Sequence, residues 1–199
     1  MPKFDISKNT QGHDTALAKL TDPRHRRIVE NYRRHAVLEV SGLYEQIFEP
    51  DMTIETPVYK IIWGGAKGED IVGDEVRAMY RLMTETGKNV IVVSNEKIAA
   101  HDDGMFSTAD MTEFYRGHEV LELGYEIDNA DGWYALTWYT VQWWPYDDQL
   151  RLIGETGAAL GDPKIEEIDE KDVITPEQAR AALAPLLQPL TPLEEPATV

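Results

Sequence analysis

Four long β-prone runs separated by turn chemistry constrain this chain more than any other feature: Val90–Ala100, Gly104–Gly117, Trp133–Trp144 and Arg151–Leu160. The intervening turns at 101–104, 129–132 and 146–149 are rich in Asp, Asn and Gly, which accept tight backbone geometry. Strands joined in this way form an antiparallel meander, and such a sheet needs one face covered. The cover lies upstream. Asp22-Pro23 is a cap followed by a first-turn proline, and Ile28, Tyr32, His35, Ala36 and Glu39 then recur at helical spacing. A short helix over Leu43–Phe48 precedes a strand, Met52–Trp63, in which Pro57 marks an edge or a bulge. A third helix, Glu75–Thr86, stops at Gly87. Helices with one strand among them, followed by a meander, predict an α+β fold.

Flanking segments differ in composition. Residues 1–20 read as a polar N-terminal arm and 21–160 as the folded α+β domain. Residues 161–199 read as an acidic, Pro-rich extension with one short helix, whose Thr175 and Gln178 have capping-box spacing. That extension holds nine acids against three bases, and the first long helix carries Arg24, Arg26, Arg27, Arg33 and Arg34. A contact between tail and helix is the expectation.

Charge removes several function classes. With 36 Asp+Glu against 19 Lys+Arg the net charge is −17, which argues against nucleic-acid partners and anionic membranes. The chain has no cysteine, hence no thiolate nucleophile. The histidines (13, 25, 35, 101 and 118) lack HxH or HxxxH spacing, so no metal site is expected. Gly64-Gly65-Ala66-Lys67-Gly68 lacks the Lys-Ser/Thr ending of a phosphate loop and reads as a pocket lid. The N-terminus has no apolar leader core, and no apolar run reaches about 18 residues; the chain reads as cytoplasmic. Its aromatics are 5 Trp and 9 Tyr against only 4 Phe. Trp and Tyr need polar partners when buried, so this choice points to a pocket or to an oligomer interface.

The segments YEQIFEPDMTIETPVY, GDEVRAMYRLM and WPYDDQLRLIGE, in this order, resemble the nuclear transport factor 2-like superfamily over roughly residues 21–160. Its SnoaL-like branch is the nearest in pattern. The group includes ketosteroid isomerase, scytalone dehydratase, polyketide cyclases and bacterial diarylpropane lyases. The resemblance implies a cone-shaped half-barrel, with a strongly bent antiparallel sheet wrapped around the N-terminal helices and an apolar pocket at its open end. It also implies proton-transfer chemistry without a cofactor. Aligned without gaps, Tyr32 falls where ketosteroid isomerase keeps its oxyanion-donating tyrosine. Thr56 replaces that enzyme's general-base aspartate, and Gln142 lies within one position of its second oxyanion donor. A threonine is no base near neutral pH, so isomerisation by that route is not expected.

Other groups remain for acid–base work. Tyr32, His35 and Glu39 share a strip of the first long helix, where a His beside a Tyr can shuttle a proton; the alternative is a core histidine bonded to backbone. Tyr59, after Pro57, can donate to a substrate oxygen or orient His35, or simply pack. Tyr32, His35 and Tyr59 are the candidate catalytic residues. Candidate substrate contacts are Trp63, Tyr80, Phe106, Asp110, Trp138, Gln142 and Trp144. Asp110 shares a strand face with Phe106, and is a base if that face looks inward or a solvated charge if it looks outward. Trp138, Thr140, Gln142 and Trp144 lie on one face of their strand and Tyr139, Val141 and Trp143 on the other. One face should meet ligand and the other a second subunit of a homo-oligomer. The expected activity is a cofactor-independent lyase or dehydratase acting on a hydrophobic, aromatic, hydroxylated small molecule. A lignin-derived diaryl compound losing formaldehyde is one case. Cyclase or isomerase chemistry, or a non-catalytic ligand-binding or scaffolding role, are the alternatives.

Overall fold

The N-terminal segment, expected to be an irregular arm, is structured. The computed structural model describes residues 3–63 and 66–192. Within it Ile6–Lys8 forms a 3-10 turn and α1 spans Gln11–Leu17, with Ile6 and His13 buried. The segment is too short to show a helical period in sequence, and its burial comes from tertiary contacts with the strand Val92–His101 and the helices Pro23–Val40 and Pro176–Leu183.

Helix α2 (Pro23–Val40) begins as its sequence requires: Asp22 accepts a hydrogen bond from the His25 N–H at 3.0 Å, with Pro23 in the first turn. The short second helix is a 3-10 turn, Tyr44–Phe48. Strand β1 (Thr53–Ile62) and the short β2 (Asp70–Val72) follow, then α3 (Asp74–Thr86), closed by Gly87 in the left-handed region at φ 73°. The meander is β3 (Val92–His101), β4 (Gly104–Arg116), β5 (Trp133–Pro145) and β6 (Leu152–Ala159), with α4 (Gly117–Glu122) inserted before β5. The extension adds a strand, β7 (Lys164–Ile168), and α5 (Pro176–Leu183), whose capping box forms as Thr175 and Gln178 exchange bonds of 3.3 and 2.9 Å.

The seven strands form one mixed sheet in the order β2-β1-β6-β5-β4-β3, with β7 also on β5. Strand β5 is long enough to hold two partners along the same edge. Residues Trp133–Thr137 pair with β7 and Thr140–Trp143 with β6, so the sheet splits and curls there. One ladder, β1 with β6, is parallel. Helices α2 and α3 lie in the concavity, where Ile28, Leu38, Ile47, Val76 and Leu152 make the main core. This is the expected cone.

The arginines of α2 mostly bind carbonyls, not tail carboxylates. Arg33 donates to Leu186 O at 2.8 Å and Arg34 to Gln188 O at 3.1 Å, while Arg180 of α5 reaches back to Ser41 O at 2.8 Å. Among the described residues the tail meets α2 through backbone groups, with no ion pair between a tail acid and an α2 arginine. Gly64 and Gly65 of the expected lid lie outside the described residues.

Candidate functional site

A cavity of about 450 Å³ opens between the helices and the concave face of the sheet. Its apolar wall comes from Ala36 and Val40 of α2, Met79 and Met83 of α3, Ile61 of β1 and Trp63 just after it, and Ile91, Val93 and Met111. Set into that wall are four glutamates from four elements: Glu39, Glu96, Glu113 and Glu155. Burial makes a carboxyl costly to ionise, so Glu96, Glu113 and Glu155 are the groups that need explaining.

Glu96 faces the cavity because of a bulge. On β3 the register slips between Ser94 and Lys97, and Asn95 sits at φ 53°, in the left-handed region Asn tolerates better than most residues. Strict alternation from Val93 would turn Glu96 to solvent; the extra residue turns it inward, leaving its side chain 2% exposed. Tyr32 donates to Glu96 Oε1 at 3.1 Å. Glu96 Oε2 stands 3.2 Å from His13 Nδ1, out of hydrogen-bond alignment, and neither atom has another partner. Burial raises the Glu96 carboxyl from 4.5 to about 8, the Tyr32 bond pulling weakly the other way. Burial, then the Arg33 charge, lowers His13 to about 3. At neutral pH this is a carboxylic acid beside a neutral imidazole.

Strand register builds the cavity floor. Gln142 on β5 lies opposite Ser107 on β4 and Gly157 on β6, and Tyr59 on β1 lies beside Glu155. Ser107 donates to Gln142 Oε1 at 3.0 Å, and Tyr32 approaches the same oxygen at 3.4 Å. That orientation aims Gln142 Nε2 at Glu155 Oε1, 3.2 Å away. Desolvation, then the Glu39 charge, holds Glu155 well above the usual carboxylate range. Glu113 accepts from Tyr115 at 2.8 Å and is pushed by burial to about 7. Tyr32, Tyr59 and Tyr80 are raised well above 10, chiefly by burial, so they act as hydrogen-bond donors and not as bases.

Of the residues singled out in sequence, Tyr32, Trp63, Tyr80, Gln142 and Trp144 line the cavity. His35 and Tyr59 lie one layer behind. Both are fully buried, and they meet the cavity through the Tyr80 hydroxyl, 2.9 Å from His35 Nε2 and 3.5 Å from the Tyr59 hydroxyl. Three assignments to substrate are corrected. Phe106 is 52% exposed on the outer face, its ring 4.3 Å from that of Trp143. Asp110 shares that outer face and accepts from Asn95 Nδ2 at 2.6 Å. Trp138 faces inward but fills a separate cluster with Tyr115 and Leu136. Thr56, in the bulged part of β1, is exposed outside the cavity. Sequence reasoning passed over His13, Glu96, Glu113 and Glu155. The one available signal was that Glu113 and Glu155 share strand parity with inward residues.

Fold and site together define a class: a cone-shaped α+β domain with buried carboxylic acids in an apolar cavity. No protein-family model and no curated protein sequence matches the chain. Among solved structures, a protein from Jannaschia sp. assigned as a SnoaL-like polyketide cyclase superposes with a TM-score of 0.51 at 13% identity, over 71% of this chain and 90% of its own. A nuclear transport factor 2-like protein of unknown function from Cytophaga hutchinsonii gives 0.42 at 10% identity, over 65% and 96%. The chain shares the fold of that SnoaL-like protein, the cone of the nuclear transport factor 2-like fold. Among the described residues no helix is long and apolar enough to cross a membrane.

Proposed function

We propose that the cavity is the active site of a cofactor-independent acid–base enzyme, a lyase or dehydratase acting on an aromatic, hydroxylated small molecule. One observation carries the reading: Glu96, kept protonated at neutral pH, sits 3.1 Å from the Tyr32 hydroxyl in the wall of an apolar cavity. An acid with a pKa close to the working pH is the form general catalysis uses best. The cavity volume of about 450 Å³ lies within the ordinary range for small-molecule sites.

In this reading Glu96 gives its proton to a departing benzylic hydroxyl, which leaves as water. A phenol para to that carbon loses its proton through Tyr80 to His35, and the electron pair moves through the ring to a quinone-methide product. Tyr32 and Gln142 hold Glu96 and the substrate oxygen, and the proton on His35 returns to Glu96 through solvent. A hydroxymethyl neighbour would allow a further retro-aldol release of formaldehyde from a diaryl substrate.

The test is a panel of para-phenolic benzylic alcohols and diarylpropane diols, followed by ultraviolet absorbance and formaldehyde release. Turnover by the wild type that drops at least about a hundredfold in both Tyr32→Phe and Glu96→Gln supports the reading. No turnover on any member, or turnover indifferent to both substitutions, sinks it. Binding without turnover would instead mark a ligand-binding protein.

A further inference from the structure

The cavity's acids are placed where a cation would sit. Glu155 Oε1 accepts one hydrogen bond, from Gln142, and Glu155 Oε2 receives none from the described residues. Among the described residues no Lys or Arg is ion-paired with Glu155 or Glu39; the one ionic neighbour is His35 Nε2, 3.5 Å from Glu39 Oε2. The cavity's lysine, Lys88, is already held, 2.8 Å from Glu119 Oε1 and 4.0 Å above the Tyr115 ring. Glu96 Oε2 is a fully buried carboxyl oxygen without a hydrogen-bond partner.

An indole stands beside the first of these acids. A Cβ on Gly157 would lie 2.6 Å from Trp63 Cζ3 and 3.1 Å from Glu155 Oε1. The glycine therefore lets an aromatic edge and a carboxyl approach the same patch of β6. Trp144 and Tyr80 continue the aromatic wall. An anion finds acids here and, among the described residues, no unengaged lysine or arginine in the lining. A neutral alcohol donates one hydrogen bond only. An ammonium group offers three donors to surrounding carboxyl oxygens. The net charge of −17 further enriches cations near the protein.

We propose that the cavity takes an aromatic amine, its ammonium seated against Glu155 and Glu39 and its ring against the Trp63 and Trp144 wall. The inference rests on the cavity being the substrate site, and not on the lyase chemistry. As the ammonium arrives the Glu155 proton passes to solvent, so the charge inside the cavity is conserved.

Calorimetric titration with three molecules of matched ring and chain decides it: 2-phenylethylamine, 2-phenylethanol and phenylacetate. The amine binds at least about tenfold tighter than the alcohol, and phenylacetate weakest. In Glu155→Gln, the isostere of the protonated acid, the amine loses about tenfold while the alcohol changes little. If that variant melts early, Glu39→Gln, at a half-buried position, carries the same comparison. Equal binding of amine and alcohol, preference for phenylacetate, no measurable amine binding, or an amine affinity unmoved in the folded variant each overturns the proposal. Tight alcohol binding with no amine preference would leave the acid–base enzyme standing. Amine binding without turnover of the phenolic panel would do the reverse.

Discussion

Replacing Glu96 by Gln should change the pH dependence of stability more than stability itself. Glu96 ionises near 4.5 when unfolded and near 8 when folded. Between those values the native state holds more protons than the unfolded one, so stability falls as pH rises through that window. At about 1.4 kcal/mol per pH unit, the full span from 4.5 to about 8 is worth roughly 5 kcal/mol. Glutamine cannot ionise, yet it matches the protonated acid in shape and can still accept from Tyr32. Urea unfolding at pH 5, 7 and 9 gives the comparison. Wild type and Glu96→Gln should be similar at pH 5, with the variant ahead by about 3 kcal/mol at pH 7 and by about 5 at pH 9. Glu113 and Glu155 also titrate, but they do so in both proteins and cancel in the difference. Two parallel stability curves would refute the claim that Glu96 is buried as an uncharged acid.

Three further substitutions probe how the site is held. Gln142→Leu removes the amide that joins Ser107, Tyr32 and Glu155, and should cost about 2–4 kcal/mol in thermal or urea unfolding; an unchanged midpoint would deny the network any structural weight. At Asn95, with φ 53°, Asn95→Gly should be nearly neutral, while Asn95→Val should cost about 1–2 kcal/mol and disturb Glu96. Equal stability of those two variants would remove the bulge as the device that turns Glu96 inward. Arg180→Ala deletes bonds of 2.8 and 3.1 Å to Ser41 O and Gly42 O, and limited proteolysis should then cut the tail after β7 earlier than in wild type; an unaltered cleavage time would mean the tail is held elsewhere.

Much of the fold was legible because it is written in local rules. The Asp22-Pro23 start of α2, the Gly87 stop of α3, the Thr175–Gln178 box and the alternation along β5 each depend on residues within a few positions. That alternation also placed Gln142 and Trp144 on one face. The split pairing of β5, by contrast, depends on β7, a short strand with no strong pattern of its own. Helix α1 likewise owes its place to tertiary contacts, which is why His13 went unnoticed.

Sequence alone determined the classes of chemistry open to this protein. Without cysteine or metal-binding histidine spacing, its candidate catalysts are hydroxyl, carboxyl and imidazole groups. Which of them face the cavity was decided by tertiary structure. Composition counts 36 acids and assigns them to solvent, where nearly all acids belong. A one-residue slip at Asn95 turns Glu96 inward, and the register of β1 against β6 puts Glu155 beside Tyr59. Face parity along a strand is a sum over every residue and bulge between two points, so one unrecognised insertion reverses it. Burial then converts ordinary carboxylates into neutral acids, a change that follows from what surrounds a side chain and leaves no mark on the residue type.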